Sequence, residues 1–305
     1  MDDLIGPLGA MGFAASSVEA LAGDASHRRF FRVGLERGGS VVAALYPAGQ
    51  EEQAAHDHAV QTWGWDRNLP IPGPLALHGR LTVSEDLGGE DLDRATARLG
   101  AAALAPVLDA LAAFQRCGFG DLPTPPFDTL FFRRELAVFE EHALPGPVRD
   151  RPDVTGFLDR LAGRLAAHPY RLVHRDFHFN NLFLCGGKVC AVDFQDMRGG
   201  PDTYDLASLL RERGGTVLVT DESAWVERAA QRLGWAQGWH RRYMECSAQR
   251  GLKVIGTFLR LGAAGRPGYL AWLPAVRARA LAVLEALGAP GPLRAAVGGS
   301  TREGL

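Results

Sequence analysis

The 305-residue chain lacks several things, and each absence closes a route. No apolar run approaches the ~20 residues needed to span a bilayer, which argues against a helical membrane protein. The start, Met1-Asp2-Asp3-Leu4, has none of the positive charge that opens a signal peptide. There is no excess of charge of one sign. The formal net charge is −2, so neither nucleic acid nor an anionic membrane surface is expected as a partner. Cysteines are few: Cys117, Cys185, Cys190 and Cys246. Cys185 and Cys190 are too few for a zinc site, and all four read as reduced thiols of a cytoplasmic protein. Internal repeats are absent, and low complexity is confined to a Gly/Pro-rich tail after Leu287. What remains is ordinary globular composition, 47% hydrophobic and 22% charged, in a chain long enough for two lobes and a large core. A monomer is expected.

Periodicity divides the chain unevenly. Residues 4–22 read as a short helix. A turn at 23–28 opens into a strand ending at Val33, and Ser40–Tyr46 is a second strand, closed by Pro47. Residues 51–65 suit a helix. Gly79–Glu85 is a third strand, broken by Asp86-Leu87-Gly88-Gly89. Helices then follow at 92–116, 128–143 and 152–167, and again near 203–212, 222–232, 237–261 and 269–287. Strands first and helices after imply an α+β protein with a small β-rich lobe (1–88) and a larger α-rich lobe (89–305). A ligand cleft is expected between them.

The densest chemical signal lies at His174-Arg175-Asp176-Phe177-His178-Phe179-Asn180-Asn181. This is H-R-D-x-x-x-x-N, a phosphoryl-transfer spacing. Asp176 is placed to accept the proton of an attacking hydroxyl. The apolar run Leu182-Phe183-Leu184 leaves the loop as a strand, Cys185-Gly186-Gly187-Lys188 turns it, and Val189–Val192 returns. That path brings Asp193 back beside Asn181. There an amide oxygen and a carboxylate can share one hard cation with a nucleotide's phosphates, so Mg2+ is the expected cofactor. With Asp176 already in the base position, His174 reads as a structural anchor of the loop.

Weaker signals surround this one. Gly23-Asp24-Ala25-Ser26 precedes a strand and offers small residues over which phosphates can sit. Glu85-Asp86-Leu87 ends the third strand, where backbone groups can meet an adenine. Asp205 opens a helix after Gly200-Pro201 and is expected to hold backbone of the catalytic loop. One element is missing. The second strand, Val41-Val42-Ala43-Ala44-Leu45-Tyr46, has no lysine of the kind that grips α- and β-phosphates. Arg28 or Arg29 can supply the charge, although both also read as solvent-facing strand residues.

Four stretches together resemble a known superfamily: G-D-A-S-x-R-R-x-F-R-V at 23–33, H-R-D-F-H-x-x-N-L at 174–182, V-D-F-Q-D-x-x-x-G-P-x-T-Y-D-L-x-S-L-L-R at 192–211, and L-K-V-I-G-T-F-x-R-L at 252–261. E-D-L-G at 85–88 and E-L-x-x-F at 135–139 fit as well. The chain resembles the aminoglycoside phosphotransferase/choline kinase superfamily. Within it the chain is most similar to the bacterial anomeric kinases of cell-wall recycling, which phosphorylate N-acetylmuramate and N-acetylglucosamine. The resemblance implies a two-lobed protein-kinase-like fold, ATP as phosphoryl donor and phosphorylation at C1 of an amino sugar. It implies Asp176 as base, and Asn181 and Asp193 as magnesium ligands. It also implies nucleotide contacts from Gly23, Asp24, Ala25, Ser26, Arg28, Glu85, Asp86 and Leu87. Sugar contacts are then expected among Glu135, His178, Gln195, Asp196, Arg198 and Arg211. A kinase of another small alcohol, of the aminoglycoside or choline type, is the alternative. A nucleotide-binding regulator without catalysis is a further one.

Overall fold

A computed structural model describes residues 2–21, 27–211 and 222–299. The N-terminal part is built on a five-stranded antiparallel sheet in the order β1-β2-β3-β5-β4. Its strands are β1 (Ala15–Leu21), β2 (Arg29–Leu35), β3 (Ser40–Leu45), β4 (Pro74–His78) and β5 (Leu81–Glu85). Strand β2 shows why: Phe31, Val33 and Leu35 are buried while the residues between them are not, the period-2 pattern of a one-faced strand. Helix α1 (Asp2–Ala10) lays Leu4 and Leu8 on that apolar face, beside Val41, Ala43, Leu81 and Val83. Helix α2 (Glu51–Trp65) joins β3 to β4 and carries Asp57 on its buried face.

The C-terminal part is mainly helical. It begins with the short strand β6 (Glu90–Asp91) and helices α3 (Leu92–Leu99) and α4 (Val107–Arg116). Helices α5 (Thr129–Ala143), α6 (Gly146–Arg149) and α7 (Pro152–Ala166) follow. Strands β7 (Tyr170–Val173), β8 (Leu182–Cys185), β9 (Lys188–Ala191) and β10 (Arg198–Pro201) carry the catalytic segment. Helices α8 (Tyr204–Arg211), α9 (Glu222–Leu233), α10 (Trp239–Ala263), α11 (Leu273–Ala286) and α12 (Gly291–Gly298) complete the part. One large core fills it, with Phe114, Phe132, Phe139, Phe177 and Phe179 almost fully buried. Among the described residues no helix is long and apolar enough to cross a membrane.

The long helix α10 lies hard against α5 at Gly256. A methyl group there would stand 2.6 Å from both the backbone N and Cα of Phe139. Glycine at this position allows two helix backbones to approach closely, and it brings the residues one turn to either side of the crossing into one site.

Several sequence expectations change, among them the unforeseen strands β7 and β10. Residues 4–22 are not one helix: the chain turns at Gly12 (φ 84°) and 15–21 pairs with β2 as an edge strand. The stretch 92–116 is two helices separated by a 3-10 turn at Gly100–Leu104. Strand β4 was missed because it opens on Pro74, which only an edge strand tolerates. The Gly/Pro-rich tail after Leu287 holds helix α12, with proline in its first turn where no N–H is needed.

Candidate active site

The expected hairpin is present. β8 and β9 pair antiparallel, with Cys185 opposite Lys188. Gly186 and Gly187 have φ of 56° and 81°, the left-handed pair a two-residue turn of this kind requires. On the return, Val192 N–H donates to the Asn181 carbonyl at 2.8 Å, which sets Asp193 beside Asn181. Asn181 Nδ2 donates to the Asp176 carbonyl at 3.0 Å. That bond fixes the amide so that Nδ2 faces the loop and the opposite side presents Oδ1. All four cysteines are free.

Two residues of this segment sit in the left-handed region: Arg175 (φ 78°) and Asp193 (φ 63°). For non-glycine residues such backbone is costly and persists only where surroundings enforce it. Asp205 is the enforcement at Arg175. Its two carboxylate oxygens accept from the backbone N–H groups of His174 (2.7 Å) and Arg175 (2.9 Å). Asp205 therefore holds the catalytic loop, as expected, from the second residue of α8. Burial pushes its pKa up to about 7, against the pull of the two N–H donors. His174 is fully buried and packs edge-on against Phe114 and Phe177. Burial also pulls its pKa below the ordinary histidine value, which fits a neutral anchor.

Asp176 keeps 27% of its side chain exposed. Burial opposes its ionisation, but the charges of Lys253, Arg250 and Arg175 outweigh that and hold its carboxyl well below the usual range. Arg250 is itself buried (1% exposed) and reaches Asp176 Oδ1 at 3.4 Å. It donates to Tyr204 OH (3.1 Å) and Ser208 Oγ (3.0 Å).

Glu135 anchors the next layer. It accepts from Arg175 (3.0 Å), Lys253 (3.0 Å) and Gln249 (2.8 Å). Burial would raise its pKa, yet Lys253, Arg175 and Arg250 bring it down to about 2. Lys253 shifts the other way: burial and repulsion from Arg175 and Arg250 outweigh Glu135 and lower its pKa. Glu135 is thus held ionised by the cations around it, while Lys253 bears the repulsion of its cationic neighbours. Arg175 also pairs with Asp196 at 2.7 Å. A cavity of about 230 Å3 opens beside this layer, lined by Phe131, Arg134, Glu135, Val138, Arg175, Lys253, Thr257 and Arg260.

On the other side of the loop, Arg28 Nη2 meets Asp193 Oδ1 at 2.8 Å and Arg28 Nη1 meets Asp57 Oδ2 at 3.1 Å. Asp57 is held in turn by Tyr46 OH (2.7 Å) and Gln53 Nε2 (2.6 Å). The arginine thus joins helix α2 to the catalytic hairpin. Arg29 instead lies over the Phe31 ring. Of the two arginines, Arg28 is the one that reaches the hairpin.

The remaining expected site residues divide. Gln195 donates to Asp193 (2.8 Å), and His178 Nε2 lies 3.4 Å from Asn181 Nδ2. Arg198 is buried and pairs with Asp196 (3.2 Å) over the rings of Phe127 and Phe131, so it stands behind the site. Asp86 is spent on Arg32 (2.7 Å), Ser40 (2.7 Å) and Gly88 N–H (3.0 Å). Glu85 accepts from Gly73 N–H (3.2 Å). Leu87 follows in the turn after β5, outside regular structure. Arg211 is not brought into the group: it pairs with Glu222 (2.6 Å) against the Tyr243 ring, six residues along α8 from Asp205. Gly23, Asp24, Ala25 and Ser26 lie outside the described residues.

Sequence reasoning missed Asp57, Arg134, Tyr204, Arg250, Lys253 and Arg260. One signal was available. Arg250, Lys253, Thr257 and Arg260 recur at three- and four-residue intervals, so they form one polar stripe on an otherwise buried helix.

A small β-sheet part, a helical part and a carboxylate on a loop next to a returning acid are the arrangement of a kinase-like phosphoryl-transfer enzyme. The chain belongs to the phosphotransferase enzyme family, whose model matches residues 17–245. It is a phosphotransferase with an alcohol group as acceptor. An N-acetylmuramate/N-acetylglucosamine kinase of Pseudomonas putida is 31% identical over 279 residues, covering 85% of this chain and 81% of that protein. Among solved structures, a choline/ethanolamine kinase family protein from Mesorhizobium loti superposes with a TM-score of 0.66 at 19% identity, over 93% of this chain and 92% of that one. The aminoglycoside phosphotransferase APH(3'')-Id of Streptomyces rimosus, solved with ADP and streptomycin, gives 0.61 at 20% identity, over 83% of this chain and 99% of that one.

Proposed function

We propose that the protein is an ATP- and magnesium-dependent sugar kinase that phosphorylates the C1 hydroxyl of N-acetylmuramate, N-acetylglucosamine or a related amino sugar. The observation that carries this is the assembled loop: Asp176, Asn181 and Asp193 held together by the Val192–Asn181 hydrogen bond of 2.8 Å. The names of the sequence relatives supply the sugar. The lobe boundary near residue 88 and a monomeric state belong to the same proposal.

The donor set fits magnesium. Asp193 and Asn181 offer one carboxylate and one amide oxygen, both hard donors, and this ion takes few protein ligands beside phosphates and water. When bound, the ion would be held by Asn181 and Asp193 and would neutralise negative charge on the donor's phosphates. Arg28 already touches Asp193, so its guanidinium lies within reach of the same phosphates. It takes the place of the missing lysine, and Asp57 takes that of the acid that would hold such a lysine.

Asp176 is kept ionised by the cations behind it and accepts the hydroxyl proton late in a loose, in-line transfer. An anomeric hydroxyl, made more acidic by the ring oxygen, gives up its proton to a carboxylate more readily than other sugar hydroxyls do. A polycationic aminoglycoside would face Arg134, Arg175, Lys253 and Arg260, which disfavours that acceptor class. The test is a panel of sugars with ATP and magnesium, read by phosphorus NMR, that includes the methyl glycoside of N-acetylglucosamine. A sugar 1-phosphate from the free sugars and no product from the glycoside is expected. Comparable turnover of the blocked sugar would sink the anomeric assignment.

A further inference from the structure

The cavity lined by Glu135 and Arg175 is unusual in its charge balance. Four of its eight lining residues are cationic and one is acidic. The acid, Glu135, is already engaged by Arg175 and Lys253 at 3.0 Å each. Arg134, from α5, and Arg260, from α10, remain, and neither forms an ion pair among the described residues. An exposed arginine without a partner is ordinarily a solvated surface residue. Here two of them come from different helices to one small cavity, through the close crossing at Gly256. The wall between them is mixed: Phe131 and Val138 are apolar, and Thr257 has a hydroxyl. Arg134 is oriented over the Phe131 ring, 5.7 Å from its centroid.

We propose that Arg134 and Arg260 form a carboxylate subsite, so that the enzyme favours an acidic amino sugar, one carrying a carboxylic acid on a short apolar ether arm, over its neutral counterpart. The proposal rests on the sugar-kinase reading above and adds the residues that choose between its substrates. Chemistry supports the placement. A substrate carboxylate near Asp176 and the donor's phosphates would be repelled by both. Arg175 lines the cavity and its charge also acts on Asp176, which offsets part of that repulsion. Planar guanidinium groups match a carboxylate geometrically, and contacts of this kind are among the stronger hydrogen bonds. The apolar residues suit the carbon arm between ring and acid.

The experiment compares N-acetylmuramate with N-acetylglucosamine on wild type, Arg134→Gln, Arg260→Gln and the double variant. Binding is read by calorimetry in the presence of a non-hydrolysable ATP analogue, and turnover is read separately. Each single variant is expected to lower the preference for the acid over the neutral sugar by about tenfold, the size of one charge-assisted hydrogen bond. The double variant is expected to abolish that preference, and Arg260→Lys, which keeps the charge, to retain most of it. A structural role would move both sugars together and leave their ratio unchanged, and that result overturns the proposal. So does a wild type that binds the neutral sugar as tightly as the acid. The underlying function fails differently, in wild-type turnover: neither sugar would be phosphorylated, whatever the binding ratio.

Discussion

The two sides of the catalytic loop solve opposite charge problems. On the sheet side, Arg28 stands between Asp57 and Asp193, one cation for two carboxylates. On the helical side, Arg175, Arg250 and Lys253 surround Glu135 and Asp176, and Arg134 and Arg260 wait at the cavity. The first half is short of positive charge and suits an arriving cation. The second half has it in excess and suits an arriving anion. Local imbalance of charge, more than any single motif, distinguishes what each half is prepared to receive.

The comparison can be broken at its centre. Asp176→Asn removes the proton acceptor and leaves the sheet side intact. Turnover should fall by about 10²–10⁴-fold, the usual share of a positioned base. Affinity for the nucleotide should stay within a few-fold, which nucleotide titration would check. If kcat on the best sugar stays at the wild-type value, another group is the base.

Arg28→Ala tests the sheet side alone. It should raise the KM for ATP about tenfold or more, as loss of one charged contact does, and change KM for the sugar little. Steady-state kinetics with each substrate varied in turn decides this. An unchanged KM for ATP would return Arg28 to a purely structural bridge.

Gly256→Ala tests the helical side through its packing. The new methyl would meet backbone atoms of Phe139 at 2.6 Å, which cannot rotate away. A loss of about 1–3 kcal/mol is expected, seen as a lower urea midpoint. Equal stability would mean that the α5–α10 crossing is looser than described.

The smallest effect is on acid stability. Glu135 has its pKa at about 2 where 4.5 is ordinary, so its contribution is fully present above about pH 4.5 and is lost as pH falls toward 2. The Glu135→Gln variant should therefore show a shallower decline in stability over that window. Parallel declines, measured by urea unfolding at each pH, would assign the acid sensitivity to other carboxylates.

The sheet side and the loop were partly legible in the sequence because their geometry is local. Eight residues carry Asp176 and Asn181, and a hairpin of known turn chemistry returns Asp193. Arg28 was named beside Arg29 as a source of the charge, since the partners that single it out, Asp57 and Asp193, lie on other elements far along the chain. The helical side was mostly illegible. Glu135 was placed near substrate only through resemblance. Its partners Arg175, Gln249 and Lys253 meet it where α5 and α10 cross, more than a hundred residues apart for the last two. Arg211 misled for the same reason: it closes a motif that α8 carries, yet the helix takes it away from the loop. At the N-terminus, local pattern gave helix for 15–21, and pairing with β2 overrode it.

Arg28 has a last consequence, for chemical labelling. The chain holds two lysines, Lys188 and Lys253. Lys188 is exposed at the β8–β9 turn, and Lys253 is engaged with Glu135. Under the proposed function, the nucleotide half has no amine to offer at the position Arg28 fills. Acylating ATP analogues that capture kinases through a phosphate-site lysine would pass this enzyme by. Dicarbonyl reagents, which condense with guanidinium, are the chemistry suited to it, with protection by ATP as the signature of the site.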